Sequence, residues 1–320
     1  MTLMSIAMTS VQVDGPLTAD EPVASVDRVV KRYGTTEVVR GASFSVHRGE
    51  LFGLLGTNGA GKTTTVEILQ GLRRADGGSV QVLGLDPAVE GDRLRRRIGA
   101  QLQNAALPDR MRVGEALNLF AALHPTPRPT AELIEEWRLG PLLRSHYGSL
   151  SGGERQRLFV ALALVGRPDI VFLDELTQNL DPVARRHAWD VIRRVRDSGT
   201  TVVLVTHDVE EAERLCDRIV VMDRGRVVAD GTPTAIVEEL GGAATVSFTD
   251  TDLDARTLRG LPGVDVVRRH GPEVHVVGTG PLLAYVGAHL VALGRPPLDL
   301  RVQRPSLEDR FVALTTESTS

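Results

Sequence analysis

Gly56-Thr57-Asn58-Gly59-Ala60-Gly61-Lys62-Thr63-Thr64 decides how the rest of this 320-residue chain is read. The stretch fits G-x-x-x-x-G-K-[ST], a loop whose backbone N–H groups wrap phosphate oxygens. That pattern carries weight only between a strand and a helix. Residues 51–55 are a continuous apolar run leading into it, and residues 64–69 have helical spacing leading out. The glycines let the backbone turn its amides inward, and the helix start adds the positive end of its dipole. Lys62 supplies a point charge for β- and γ-phosphates, and the Thr63 hydroxyl is a ligand for Mg²⁺. A glycine-rich turn that binds nothing is the plainer alternative, and the Lys-Thr pair argues against it.

Bulk composition sets the outer limits. The length suggests two domains or one large one, and 42% hydrophobic residues can fill a globular core. A net charge of −4 gives no basic footprint, so nucleic acid is not an expected partner. Cys216 is the single cysteine, which excludes a disulfide framework and fits a reducing compartment. Lys31 and Lys62 are the only lysines, and the arginine bias reads as a high-GC genome, not as a function. The apolar run at 158–166 lies between Arg157 and Arg167, short of the ~20 residues a membrane span needs. Residues 1–22 hold no Lys or Arg, lack the charged start of a signal peptide, and read as a disordered tail.

Residues 24–30 and 37–46 read as strands, with Tyr33 between them. An exposed aromatic ahead of a phosphate loop can stack on a purine; a core or turn tyrosine is the other reading. A strand at 79–82 and a basic, solvated helix at 92–97 follow. A strand at 98–103 then ends on Gln103. Residues 104–147 turn helical, interrupted by Pro125, Pro127 and Pro129. Leu150-Ser151-Gly152-Gly153-Glu154-Arg155-Gln156-Arg157 opens an amphipathic helix over 154–165. Ser151 fits its N-cap, and the free N–H groups beyond make a second anion site. Read alone, this is also an ordinary helix cap.

The run 169–173 is fully apolar and ends in Asp174-Glu175. Such a strand belongs in a parallel sheet covered on both faces, and acids at its C-terminal end lie where these sheets bind ligands. Asp174 suits a Mg²⁺ shell and Glu175 can polarise a water. Leu180-Asp181-Pro182 turns into a helix through 195, and a strand at 200–205 ends in Thr206-His207-Asp208. A lone histidine there is usually structural. A helix at 209–215, strands at 218–222 and 226–229, and a helix to 240 complete this part.

Gly241-Gly242 marks a boundary. Beyond it come a strand at 244–248, a helix at 253–261, a hairpin of 265–269 with 273–277, a helix at 282–293 and a strand at 298–302. That βαββαβ order is ferredoxin-like. A last helix starts at Ser306 with a capping box to Asp309. His270, His275 and His289 lack metal-like spacing and read as structural.

Taken together, residues 24–240 resemble the ATP-binding subunit of an ABC transporter. The motifs stand in that family's order: Walker A at Gly56 to Thr64, the Q-loop Gln103, the signature at Leu150 to Gln156, Walker B ending at Asp174, Glu175 beyond it, and the switch histidine His207. Tyr33 matches the adenine-stacking aromatic and Leu180-Asp181 the D-loop. Arg304-Pro305-Ser306-Leu307-Glu308-Asp309 looks like the end of bacterial drug-exporter ATPases of the daunorubicin-resistance type. Two departures stand out: Asp174-Glu175-Leu176-Thr177 replaces the commoner Asp-Glu-Pro-Thr, and Gln178-Asn179 precede the D-loop where Ser-Gly or Thr-Gly is usual.

The resemblance implies an ATP- and Mg²⁺-dependent ATPase that works as a head-to-tail homodimer. Glu175 and His207 are the implied catalytic residues. Tyr33, Gly56, Thr57, Asn58, Gly59, Ala60, Gly61, Lys62, Thr63, Thr64 and Gln103 would bind the nucleotide, and Thr63, Gln103 and Asp174 the metal. Ser151, Gly152, Gly153 and Gln156 would close over the other subunit's ATP, next to the D-loop Asp181. The partner is an integral-membrane permease docking near residues 103–121, which places the chain peripherally at the cytoplasmic face of the membrane. A translation-factor ATPase would carry two such cassettes, and a DNA-repair ATPase a long coiled coil or zinc-binding cysteines; this chain has neither. The expected architecture is a disordered tail (1–22) and an α/β P-loop ATPase core with antiparallel β and helical subdomains (23–241). A small α+β ferredoxin-like accessory domain (242–320) would follow and stabilise or regulate the dimer.

Overall fold

A computed structural model describes residues 21–101, 106–177, 180–238, 243–303 and 306–317. The tail to residue 20, Gln103, Gln178-Asn179, the boundary at 241–242 and Arg304-Pro305 lie outside the described residues. The chain opens with the antiparallel pair β1 (Ala24–Tyr33) and β2 (Thr36–Val46), then β3 (Leu51–Gly56), which runs through the phosphate loop into α1 (Lys62–Leu69). Next come β4 (Gly77–Val82), α2 (Gly91–Arg95) and β5 (Ile98–Gln101). A helical stretch follows, with α3 (Val113–Ala122), α4 (Thr130–Glu136) and α5 (Gly152–Leu164). The chain then alternates through β6 (Ile170–Asp174), α6 (Pro182–Asp197), β7 (Thr201–Thr206), α7 (Val209–Leu215), β8 (Arg218–Asp223), β9 (Arg226–Gly231) and α8 (Pro233–Glu238).

Six strands form the central sheet in the order β5-β6-β7-β3-β8-β9, parallel except for the β8–β9 hairpin. A second, antiparallel sheet has the order β2-β1-β4. The continuous apolar runs follow from this layering. In β3, Leu51 and Leu55 face one core, while Phe52 and Leu54 face the other. In β6, Val171 and Leu173 pair off against Ile170 and Phe172 in the same way. Side chains alternate across a strand, so a strand buried on both faces needs an apolar residue at every position. One core holds α1 between the two sheets. The other is packed by α3 to α7 and carries Leu133 and Trp137 of the helical stretch.

Beyond residue 243 lie β10 (Ala244–Thr249), β11 (Val264–His270), β12 (Glu273–Gly278), α9 (Leu282–Ala292), β13 (Arg301–Gln303) and α10 (Leu307–Glu317). Their antiparallel sheet has the order β11-β12-β10-β13 and packs its own core, including Phe248, Val276, Val286 and Leu290. The helix expected at 253–261 is only a 3₁₀ turn, Ala255–Leu258. Asp250 accepts from the N–H groups of Asp252 and Leu253, and Asp254 from that of Arg256. These local bonds compete with a helical ladder, and Gly260, Pro262 and Gly263 end the segment.

Ser306 does cap α10, trading hydrogen bonds with Asp309 in both directions. Yet α10 does not join the core of the sheet before it. Leu307 and Leu314 are buried in the cassette's core, with Phe311 packed against it. Leu307 is 0% exposed. Leu307→Ala is therefore expected to destabilise the cassette by roughly 2–5 kcal/mol. A lowered thermal midpoint for unfolding of the part built on the central sheet checks this, and an unchanged one would mean that α10 adds nothing there.

Candidate active site

The phosphate loop is held by close backbone contacts. A Cβ on Gly56 would lie 2.4 Å from the Met222 carbonyl oxygen. Gly61 takes a φ of 97° with the Val38 carbonyl oxygen close by, a position where a side chain meets both strain and a clash. The loop encloses a cavity lined by Asn58 to Thr64, Val38 and Glu175. Lys62 opens α1 and folds back across it, its Nζ donating to the carbonyls of Gly56 at 2.8 Å and Thr57 at 3.1 Å. Burial lowers the pKa of this ammonium, while Glu175 and Asp174 act to raise it. Thr63 is exposed on the first turn of α1, free to meet a ligand.

Strands β6, β7 and β3 lie side by side, so their C-terminal ends meet at the loop. Asp174 ends β6, is buried, and its Oδ1 has no hydrogen-bond partner among the described residues. Burial pushes its carboxyl up to about 6, the Glu175 charge adds to that, and Lys62 opposes it. A buried carboxylate oxygen that none of the described donors satisfies is the donor chemistry a hard divalent cation takes, and the hydroxyl of Thr63 on the phosphate loop's helix is an oxygen ligand of the same kind. Asp174 and Thr63 therefore fit Mg²⁺.

Glu175 has a φ of 50°. A non-glycine residue pays roughly 1–2 kcal/mol for that left-handed backbone. Its N–H donates to the Val205 carbonyl at 2.9 Å, which anchors the turn to β7. His207, just past β7, approaches with Nδ1 at 3.2 Å from Glu175 Oε1. Thus residues 32 positions apart form one pair because two parallel strands end together.

Other expected residues lie elsewhere. Tyr33 is 41% exposed and packs beside Arg73, past the end of α1, outside the lining of the phosphate-loop cavity. Ser151 caps α5: its Oγ accepts from the Glu154 N–H and donates to Glu154 Oε2 at 2.9 Å. Hydrogen bonds from the Ser151 backbone and hydroxyl hold the Glu154 carboxyl below its ordinary range. A cap of this kind is worth about 1 kcal/mol. Gly152, Gly153 and Gln156 line a separate groove of about 820 Å³ together with Leu180 and Asp181. Asp181 caps α6, accepting from Val183 and Ala184.

One cluster escaped the sequence reading. Glu211 is fully buried and its Oε1 accepts from Thr177 Oγ1 at 2.7 Å and Trp189 Nε1 at 3.2 Å. Burial raises its pKa above the usual carboxylate value, against hydrogen bonds from Thr177, Thr206 and Trp189. The Asp208-x-x-Glu211 spacing reads as a capping box, in which the glutamate would turn back to the helix start. The N–H of Asp208 instead donates to Thr206 Oγ1 at 3.0 Å, and Glu211 turns inward.

A phosphate loop at the C-terminal edge of a parallel sheet, with a buried acid and an acid–histidine pair on adjoining strands, defines a P-loop nucleoside triphosphatase. Residues 39–178 match the protein family described as ABC transporter. The chain is 37% identical over 311 residues to the Nod factor export ATP-binding protein I of Ralstonia nicotianae, covering 95% of this chain and 97% of that one. It is 41% identical over 299 residues to the daunorubicin/doxorubicin resistance ATP-binding protein DrrA of Streptomyces peucetius, covering 90% of each. A solved ATP-binding subunit of an ABC transporter, 29% identical, superimposes with a TM-score of 0.62 over 68% of this chain and 93% of that one. The chain belongs to the ABC transporter family, as an ATP-binding and ATP-hydrolysing subunit.

Proposed function

We propose that two copies of this chain pair head to tail and power export of a drug-like or other small molecule through a separate membrane permease. One observation carries the pairing: the phosphate-loop cavity and the groove beside α5 share no lining residue. A single loop embraces one side of a triphosphate. The N–H groups after Ser151, with Gly152, Gly153 and Gln156, offer donors for the other side, and only a second copy can present them. Asp181 lines the same groove and comes with them. The functions named for the two relatives, Nod factor export and drug resistance, support the direction and the cargo class.

In this reading Lys62 and the loop amides hold the β- and γ-phosphates, and Tyr33 stacks on the adenine. Asp174, Thr63 and Gln103 would hold Mg²⁺, which when bound neutralises phosphate charge. Glu175 takes the proton of the attacking water. His207, held through Nδ1 by that carboxylate, orients the γ-phosphate. Positioning and electrostatics supply most of the acceleration. The stretch after Gln103, at residues 103–121, receives the permease. Among the described residues no helix is long and apolar enough to cross a membrane, which suits a peripheral subunit at the cytoplasmic face. Residues 23–241 form the catalytic unit, and residues 242–320 an accessory region whose β10–β13 sheet steadies the pair and binds no nucleotide, while its last helix, α10, packs into the catalytic unit's core.

Ser151→Arg tests the shared site. The variant is expected to bind ATP as a monomer with unchanged affinity and to fail to dimerise with ATP, read by light scattering. A normal ATP-driven dimer would mean that each copy completes its own site.

A further inference from the structure

We propose that Glu211 is a positioning residue for hydrolysis: it clamps the turn after Glu175 to the segment around His207 and to α6, and so holds that catalytic pair together. The proposal rests on the reading of Glu175 as the group that takes the proton of water.

Two segments converge on the Glu211 carboxyl, which is itself carried on the helix that follows His207. Thr177, two residues past Glu175, donates to its Oε1 at 2.7 Å. Trp189, from the helix that Asp181 caps, donates to the same oxygen at 3.2 Å. Thr206, immediately before His207, takes the N–H of Asp208 on its Oγ1 at 3.0 Å and so fixes the start of the helix that carries Glu211. Asp208, immediately after His207, accepts from the Glu211 N–H at 3.1 Å and from Arg185 Nη1 of α6 at 3.2 Å. The Glu211 carboxyl thereby ties the chain just past Glu175, and α6, to the helix that begins right after His207.

Strain explains why such a clamp is needed. Glu175 sits at a φ of 50°, and an unfavourable backbone of this kind persists only where its surroundings over-determine it. One restraint lies on the near side, from the Glu175 N–H to Val205. The Thr177–Glu211 bond is the restraint on the far side. An apolar side chain would fill the same space without the cost of burying a carboxyl, but it would fix none of these directions.

The test uses the full-length chain and ATP turnover. Glu211→Ala is expected to lower kcat about 10- to 100-fold while the KM for ATP stays within about twofold. Glu211→Gln keeps the Oε1 acceptor and is expected to recover at least about half of the lost rate. In a Glu175→Gln background, Glu211→Ala should cause no further drop in single-turnover rate, because the group it positions is already disabled. Thr177→Val, a change of one hydroxyl, should follow Glu211→Ala and serves in its place if that variant does not fold. Unchanged kcat in Glu211→Ala or Thr177→Val would overturn the proposal. So would Glu211→Gln as slow as Glu211→Ala, or an equal loss in both backgrounds, which would mark general damage. Failure of the underlying reading would look different: Glu175→Gln alone would then hydrolyse ATP at the wild-type rate.

Discussion

Glu175→Gln should keep ATP affinity within about twofold and lower kcat by roughly 10²–10⁴, some 3–5 kcal/mol in the barrier. Glutamine has the same shape and can still accept from His207 Nδ1, so the 3.2 Å contact survives. It cannot take a proton from water. Neither can Asp174 replace it, since that carboxyl is buried beside Lys62 and suited to the metal. The loss therefore falls on the chemical step and spares binding, and an ATP-bound pair should accumulate. Phosphate release at saturating ATP, with light scattering alongside, measures both. A glutamine variant that turns over like the wild type would remove Glu175 from the mechanism.

Lys62→Ala should act on binding instead, weakening ATP by at least about 10²-fold, near 3 kcal/mol. Lys62 is 5% exposed, and its ammonium lies against the carbonyls of Gly56 and Thr57, inside the curve of the loop. In that position its charge is poorly screened, and charge-assisted bonds to phosphate are among the stronger ones. Alanine removes the charge and leaves two loop carbonyls without their donor. Calorimetric titration with ATP is the direct measurement. Wild-type affinity would show that the loop amides suffice. The two variants thus separate the roles: one binds without hydrolysing, the other scarcely binds.

Much of this was legible because short stretches of chain carry their own chemistry. Gly56 to Thr63 specifies both a tight turn and its ligand, since only glycine tolerates the contacts made at positions 56 and 61. The unbroken apolar run before Asp174 announces a strand buried on both faces, and so a parallel sheet. Ser151 and Ser306 reveal helix starts by spacing alone, because a cap and its partner lie within one turn. Family resemblance extended that reading to His207 and the signature, which local rules leave ambiguous.

By itself, then, the sequence determined the phosphate loop, the strands that frame it, the helix caps and the residue types available for catalysis, all set by neighbours in the chain. Only the tertiary structure decided which of those groups meet. The Glu175–His207 pair exists because β6 and β7 end at the same level. Glu211 has a spacing that suggests a surface cap, but the Thr206 hydroxyl takes the N–H of Asp208 and the carboxyl turns into the core. The expected helix at 253–261 gave way to a 3₁₀ turn where Asp250 and Asp254 captured nearby N–H groups. The apolar face of α10 fits any hydrophobic surface, and three-dimensional packing chose the cassette over the sheet that precedes it. Apolar burial has no direction of its own, so a pattern can say that a face is covered without saying by what.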